Sequence, residues 1–193
     1  MRTEATPILL PDNAGNVLLP LARTAIAREF GKTHRAVEDA AWLRELGACF
    51  ITLTCEKKLR GCIGTLRAHR TLLEDVQANA VAAAFRDPRF KPLAVDEFDA
   101  VAVEISVLSA LAPMTFTDEQ DALAQLRIGI DGVVFQYGHH SSTFLPQVWE
   151  NLREPGEFMG HLKYKAGLPP DFWHEEVKLS RYIVSKWRET GNE

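Results

Sequence analysis

The sequence predicts an α+β protein, and three observations predict it. Helical and strand-like patterns are mixed along the chain, neighbouring strand patterns are joined by short hairpin turns, and no regular strand–helix–strand repeat accompanies them. With 193 residues, 46% of them hydrophobic and 25% charged, the composition is that of an ordinary globular domain that buries a core without disulfide or metal staples. The chain reads as one cooperative unit, with a smaller lobe at about 66–113 and no internal repeat or interdomain linker.

Each element has a local reason. Leu18, Leu21, Ala22, Ala25, Ile26 and Phe30 recur at three- and four-residue intervals and define an amphipathic helix that stops at Gly31. After a polar segment at 34–46, the β-branched and aromatic run at 48–55 predicts a strand. A charged turn, Glu56-Lys57-Lys58, joins it to a second strand at 59–66, so the two form a hairpin. Thr71 and Glu74 have the spacing of a capping box, and Leu72, Leu73, Val76, Ala80 and Ala84 carry the helical period onward. That helix stops before Asp87-Pro88, because proline disfavours helical geometry at the residue before it and has no amide to donate.

Residues 101–108 alternate strictly, with Val101, Val103, Ile105 and Val107 on one face and Ala102, Glu104 and Ser106 on the other, which predicts a half-buried strand. Thr117-Asp118-Glu119-Gln120 reads as a second capping box, opening a helix through Leu126. Asp131-Gly132, between residues 128–130 and 133–137, reads as a two-residue hairpin turn. Residues 142–145 predict a strand or turn that meets Pro146, and His139-His140 a hairpin tip. A helix at 157–166 ends at Gly167 as a left-handed cap, and residues 177–184 predict one closing strand.

Composition excludes several classes of function. The net charge of −4 argues against a protein whose whole surface is a nucleic-acid footprint. Cys49, Cys55 and Cys62 are too few for a disulfide framework and follow no Cys-x-x-Cys spacing, which predicts a reducing, cytoplasmic location. The first residues, broken by Pro7 and Pro11, do not read as a secretion signal, and no apolar run approaches the length of a membrane span. No metal site and no cofactor is predicted, since the six histidines show no ligand spacing and the nucleotide-binding and hydrolase fingerprints do not occur.

The unusual segment is Leu59-Arg60-Gly61-Cys62-Ile63-Gly64, a strand interrupted by two glycines. Glycine within a strand marks a bulge or a place where a ligand or another backbone comes close. Alternation predicts Arg60 and Cys62 on one face, with Leu59, Ile63 and Thr65 on the other. A guanidinium beside Cys62 favours the thiolate, the nucleophilic form, whereas the plainer alternative makes Cys62 a small buried hydrophobe and leaves Arg60 in solvent. Residues 56–91 carry a net +4 and the remainder −8, which suits an anionic ligand or partner at this window, the plainer alternative being a solvated basic surface on the second helix and its flanks. Glu104 is a carboxylate on a sheet face that needs solvent, a cation or a ligand. If its strand and Cys62's share a sheet, Arg60, Cys62, Glu104 and Ser106 line one surface.

The runs LRGCIG (59–64), AAAFRDPRF (82–90) and VEISVL (103–108), with the glycine pair of GIDG (129–132), FLPQV (144–148) and KAGL (165–168), resemble the AMMECR family. Its bacterial and archaeal members carry the name AmmeMemoRadiSam system protein A. The resemblance implies one domain with its core at about 16–188. It also implies a larger lobe with a mainly antiparallel sheet flanked by helices, and a smaller lobe, with the shared motifs near a cleft between them. It implies a place in a modification pathway beside a Memo-like protein and a radical S-adenosylmethionine protein, without establishing a reaction. The candidate site then comprises Cys62 as nucleophile and Glu104 as acid or base. Arg60, Gly61, Gly64, Asp87, Arg89 and Ser106 are its candidate ligand-binding residues. A non-enzymatic adaptor is the alternative reading, and RNA binding through the basic window a weaker one.

Overall fold

The computed structural model describes residues 10–189, so the reading of Pro7 in the N-terminal stretch lies outside the described residues. The elements in chain order begin with α1 (Gly15–Glu29), β1 (Leu46–Cys55), β2 (Lys58–Gly64), β3 (Arg70–Thr71), α2 (Leu72–Phe85) and β4 (Val101–Leu108). They continue with β5 (Ala112–Pro113), α3 (Glu119–Ala124), β6 (Gly132–Tyr137), β7 (His140–Phe144), α4 (Pro155–Lys165), β8 (Lys178–Tyr182) and β9 (Val184–Arg188). Short 3-10 turns occupy Ala41–Arg44 and Pro146–Glu150. Antiparallel sheets with helices make this an α+β fold, as the mixed order of elements predicts.

The chain forms two compact units, with boundaries after Leu108 and after Val184. Residues 66–108 of the expected smaller lobe fold within the first unit, and residues 109–113 within the second.

In the first unit the strand order is β2-β1-β4-β9, with β3 paired to the start of β1. Alternation decides which face is core. Cys49, Ile51 and Leu53 of β1 and Val101, Val103, Ile105 and Val107 of β4 are buried against Leu18, Leu21 and Ile26 of α1 and Leu72, Val76 and Ala80 of α2. Thr71 accepts the Glu74 amide while Glu74 accepts that of Thr71, so the capping box that starts α2 is complete. Behind it, the fully buried Asp75 accepts bonds from the Cys49 amide (2.8 Å), the Thr65 hydroxyl (2.7 Å) and Arg70 Nε (2.8 Å), fixing α2 to the point where β1 and β2 part.

The first unit closes through its last strand. Glu189 accepts Arg23 Nε at 2.9 Å and the Val103 amide at 2.8 Å, while the rest of the Arg23 guanidinium donates to the carbonyls of Phe98 and Val101. Gly15 has no side chain because the Trp187 ring lies where a Cβ would stand.

In the second unit the order is β5-β8-β6-β7, antiparallel throughout. Helix α4 covers the β7 edge, with the Ser142 hydroxyl donating to the Leu162 carbonyl at 2.6 Å and Lys165 to the Thr143 carbonyl at 3.0 Å. Gly167, at φ +82°, ends α4 as its position predicts.

Three expectations are corrected here. Asp131-Gly132 is not a hairpin tip, and residues 128–130 form a turn instead of a strand. The Asp131 carboxylate is buried by Arg127 at 2.6 Å, and Gly132 is required because the Tyr182 ring fills the Cβ position. The hairpin turns instead at Gly138-His139, between β6 and β7. Helix α3 is capped by Asp118, whose side chain accepts the Asp121 amide, while Asp121 bonds back to Thr117; the box is displaced by one residue because an aspartate competes better than the threonine before it. The closing strand is two strands in two sheets, β8 and β9, separated by Ile183 alone.

The β1–β2 turn is built from Glu56 and Lys57 at φ 50° and 63°, the left-handed pair that asparagine and glycine occupy most easily. The double substitution Glu56→Asn/Lys57→Gly is expected to raise stability by about 1 kcal/mol, read as a higher urea midpoint with an unchanged slope.

Candidate functional site

Strand β2 is at the edge of its sheet, so among the described residues one of its sides has no neighbouring strand. The loop after α2 takes that place at Cys62. Asp87 Oδ2 accepts the Cys62 amide at 2.8 Å, and Arg89 Nη2 donates to the Cys62 carbonyl at 3.1 Å. The local sequence explains why the loop can do this. Pro88 sits at the second position of a turn closed by the Phe90 amide on the Asp87 carbonyl (3.1 Å), and the Asp87 side chain accepts the Arg89 amide (3.1 Å). Arg89 then folds back on the same carboxylate, through Nε at 2.9 Å and Nη2 at 2.7 Å.

Asp87 is only 4% exposed. The Arg89 guanidinium, helped by the Cys62 and Arg89 amides and opposed by burial, holds its carboxyl well below the usual carboxylate range. Arg89 is held protonated chiefly by Asp87, and the Cys62 thiol is among its lesser neighbours.

Arg60 departs from the expected face. Leu53 pairs with Gly61 and Thr54 with Leu59, so a β-bulge leaves Arg60 without a partner and reverses the alternation below it. Leu59 therefore shares the face of Cys62 and is exposed, while Arg60 leaves that face. Its Nε and Nη2 both grip Glu97 at 2.8 Å, and Nη1 donates to the Lys91 carbonyl at 3.0 Å. Ile63 pairs with the buried Ile51, on the core side and opposite Cys62, as alternation predicts for those two residues.

The glycines are explained by protein atoms. A Cβ on Gly61 would collide with the Ala83 carbonyl oxygen of α2, and one on Gly64 with the Phe50 ring. Gly61 thus lets the α2 backbone lie directly on the bulged strand.

Cys62 and Glu104 do share a sheet face. Thr52 of β1 pairs with Cys62 on one side and Glu104 on the other, which sets thiol, hydroxyl and carboxylate in one row across three strands. The Thr52 hydroxyl donates to Cys62 Sγ at 3.3 Å. The next row along is Gly64, Phe50 and Ser106, with Ser106 buried. This face is opposite the one packed by α1 and α2, and Cys62 on it is half-buried.

Two cations on this face were not singled out from sequence. Lys186 pairs with Glu104 at 3.2 Å, and Arg188 reaches the Thr54 hydroxyl at 3.1 Å. The signal was the alternation of Val184, Lys186 and Arg188 against Ser185 and Trp187, hidden when residues 177–184 are read as the last strand. Cys49 is buried, and burial pushes its thiol well up. Among the described residues no cluster of three or more His, Cys, Asp or Glu could hold a metal ion, and no helix is long and apolar enough to cross a membrane.

An α+β chain in which a bulged, glycine-bearing edge strand is clasped by an Asp-Pro turn defines a distinct class of domain, carried by the segments LRGCIG and DPRF. The chain belongs to the AMMECR1 family, whose model matches residues 19–187. Protein MJ0810 of Methanocaldococcus jannaschii is 39% identical over 149 residues, covering 75% of this chain and 74% of that protein. A protein of Methanothermobacter thermautotrophicus is 33% identical over 187 residues, covering 94% and 97%. The crystal structure of the uncharacterized protein PH0010 from Pyrococcus horikoshii superposes with a TM-score of 0.82 at 31% identity, over 94% of each chain.

Two outcomes test the clasp. Gly61→Ala is expected to cost about 1–3 kcal/mol in chemical denaturation, because α2 must move off the strand. The bonds from Arg60, and then that from the Ala94 amide, draw the Glu97 pKa from 4.5 down to about 2. A depressed carboxylate stabilises the fold fully above its unfolded pKa and loses that contribution as the pH falls through the folded value. Glu97→Gln should therefore be less stable than the parent at pH 7, with the gap closing between pH 4.5 and about 2.

Proposed function

We propose that the protein binds an anionic group, on a small molecule or a protein segment, over the sheet face that carries Cys62, and presents that thiol to it. The observation that supports this reading is the row Cys62–Thr52–Glu104, in which the half-buried thiol receives the Thr52 hydroxyl. Arg89 donates to the Cys62 carbonyl from the loop side. Arg188 is the cation for the ligand, since its side chain is bonded only to the neutral Thr54 hydroxyl among the described residues. Arg60 and Arg89 are bound to Glu97 and Asp87 and serve to position the strand. Glu104, paired with Lys186, is the acid or base of this reading. Cytoplasmic work in a modification pathway, with Memo-like and radical S-adenosylmethionine proteins as partners, belongs to the same proposal.

Paired alkylating reagents test it. Iodoacetamide and iodoacetate form the same sulfur–carbon bond and release the same iodide, but only iodoacetate is an anion. Cys62 in the native protein is expected to react faster than Cys49, with a rate that rises with pH. Its preference for iodoacetate should exceed that of the unfolded chain several-fold and fall in Arg188→Gln. A Cys62 that is inert until the chain unfolds, or that shows no preference for the anion, overturns the reading.

A non-enzymatic adaptor is the second reading, favoured by the internal pairing of Arg60 and Arg89, which makes the most distinctive segments architectural. In a pull-down with the Memo-like and radical S-adenosylmethionine proteins, capture unchanged by Cys62→Ala but lost on substituting exposed residues would establish it.

A further inference from the structure

The segment that leads from α1 to β1 is unlike the rest of the first unit. Among the described residues, no backbone amide or carbonyl of Thr33–Asp39 takes part in a backbone hydrogen bond. The run is also without helix or strand. Beside it, towards the first turn of α2, lies an open groove of about 690 Å³. That volume lies within the range of small-ligand and peptide sites. Val37, Leu43 and Leu73 give it an apolar lining, and Val37 is 56% exposed although it is a β-branched hydrophobe. Nothing in the Cys62 face or in the clasp at Asp87 uses these residues.

The charges around the groove are unbalanced. Glu38, Asp39 and Glu74 line it against the single guanidinium of Arg44. Glu38 is partly neutralised by Arg28 at 3.1 Å, an exposed pair of little strength. Glu74 is held in its capping box with Thr71, which fixes its carboxylate at the helix start. Asp39 has no side-chain hydrogen bond or ion pair among the described residues. The surface therefore offers three things together: unpaired backbone, apolar side chains and excess negative charge.

We propose that this groove docks an extended, basic segment of a partner protein, laid along residues 33–39. The partner's backbone pairs with the open amides and carbonyls, as a strand adds to a sheet edge. Its aliphatic side chains cover Val37 and Leu73, and its lysines or arginines meet Asp39 and Glu74. An acidic segment of the same apolar pattern would bring carboxylates against carboxylates and be rejected.

A capped heptapeptide of alternating lysine and valine, with its glutamate–valine counterpart as control, tests the proposal on the full chain by amide chemical-shift mapping. The lysine peptide is expected to shift resonances in 33–44 and 71–74 at low salt, with affinity falling as salt rises. Both Val37→Asp and Asp39→Lys, changes at exposed positions, should weaken it at least tenfold while leaving the spectrum of the free protein otherwise intact. Equal binding of the glutamate peptide, shifts confined to other surfaces, or no shift at millimolar peptide would overturn it. So would groove shifts that follow protein concentration without peptide, since a second copy would then be the occupant.

Discussion

One buried carboxylate, that of Asp87, holds together the features that make this domain recognisable. An edge strand exposes amides and carbonyls that invite another chain, and proteins with such an edge must cover it. Here a four-residue turn does so, and its carboxylate is itself neutralised by the arginine two residues on. The cover is positioned by the stop of α2 before Asp87-Pro88, and α2 is held against the strand because Gly61 has no side chain. Helix end, turn, bulge and glycine are thus parts of one local solution. Arg60 and Glu97 repeat it a few residues away, pinning the rest of the same loop to the bulge.

The Cys62 face is a product of that solution. With the backbone of Cys62 bonded on the loop side through both its amide and its carbonyl, and with Thr52 opposite it in β1 donating its hydroxyl to Sγ, the thiol has a fixed base. Arginines that look like ligand-binding groups in the sequence are spent on architecture, and the cations on the thiol's face come from the last strand, β9. The groove beside residues 33–39 is its opposite in charge, so the −4 of the whole chain conceals at least two differently charged regions.

The long periodic elements were legible in the sequence because burial alone decides them. The strand at 101–108 and the helix from the Thr71 box to Phe85 lie where alternation and capping put them. Cys62 and Glu104 sharing a face followed from period-two counting along two strands of one sheet. Counting failed at Arg60, since a single extra residue in a strand inverts every face beyond it and leaves no mark in composition. Asp131-Gly132 misled for a different reason. Its glycine is dictated by the Tyr182 ring, distant in sequence, and its aspartate by a salt bridge within the turn, so neither reports on hairpin geometry. The division of 177–188 between two sheets was invisible for the same reason, because Ile183 separates two strands with no glycine or proline to signal the break.

The Arg23–Glu189 contact carries a consequence for the way the chain comes off the ribosome. Its partners are separated by 166 positions, and the second unit is made in the interval between β4 and β9. While the second unit is being made, the nascent first unit has its helices and three main strands but carries an arginine whose carboxylate partner does not yet exist. The Val103 amide waits for the same residue. The first unit to begin synthesis is therefore the last to finish folding, and the second can fold to completion while its neighbour is still open along β4.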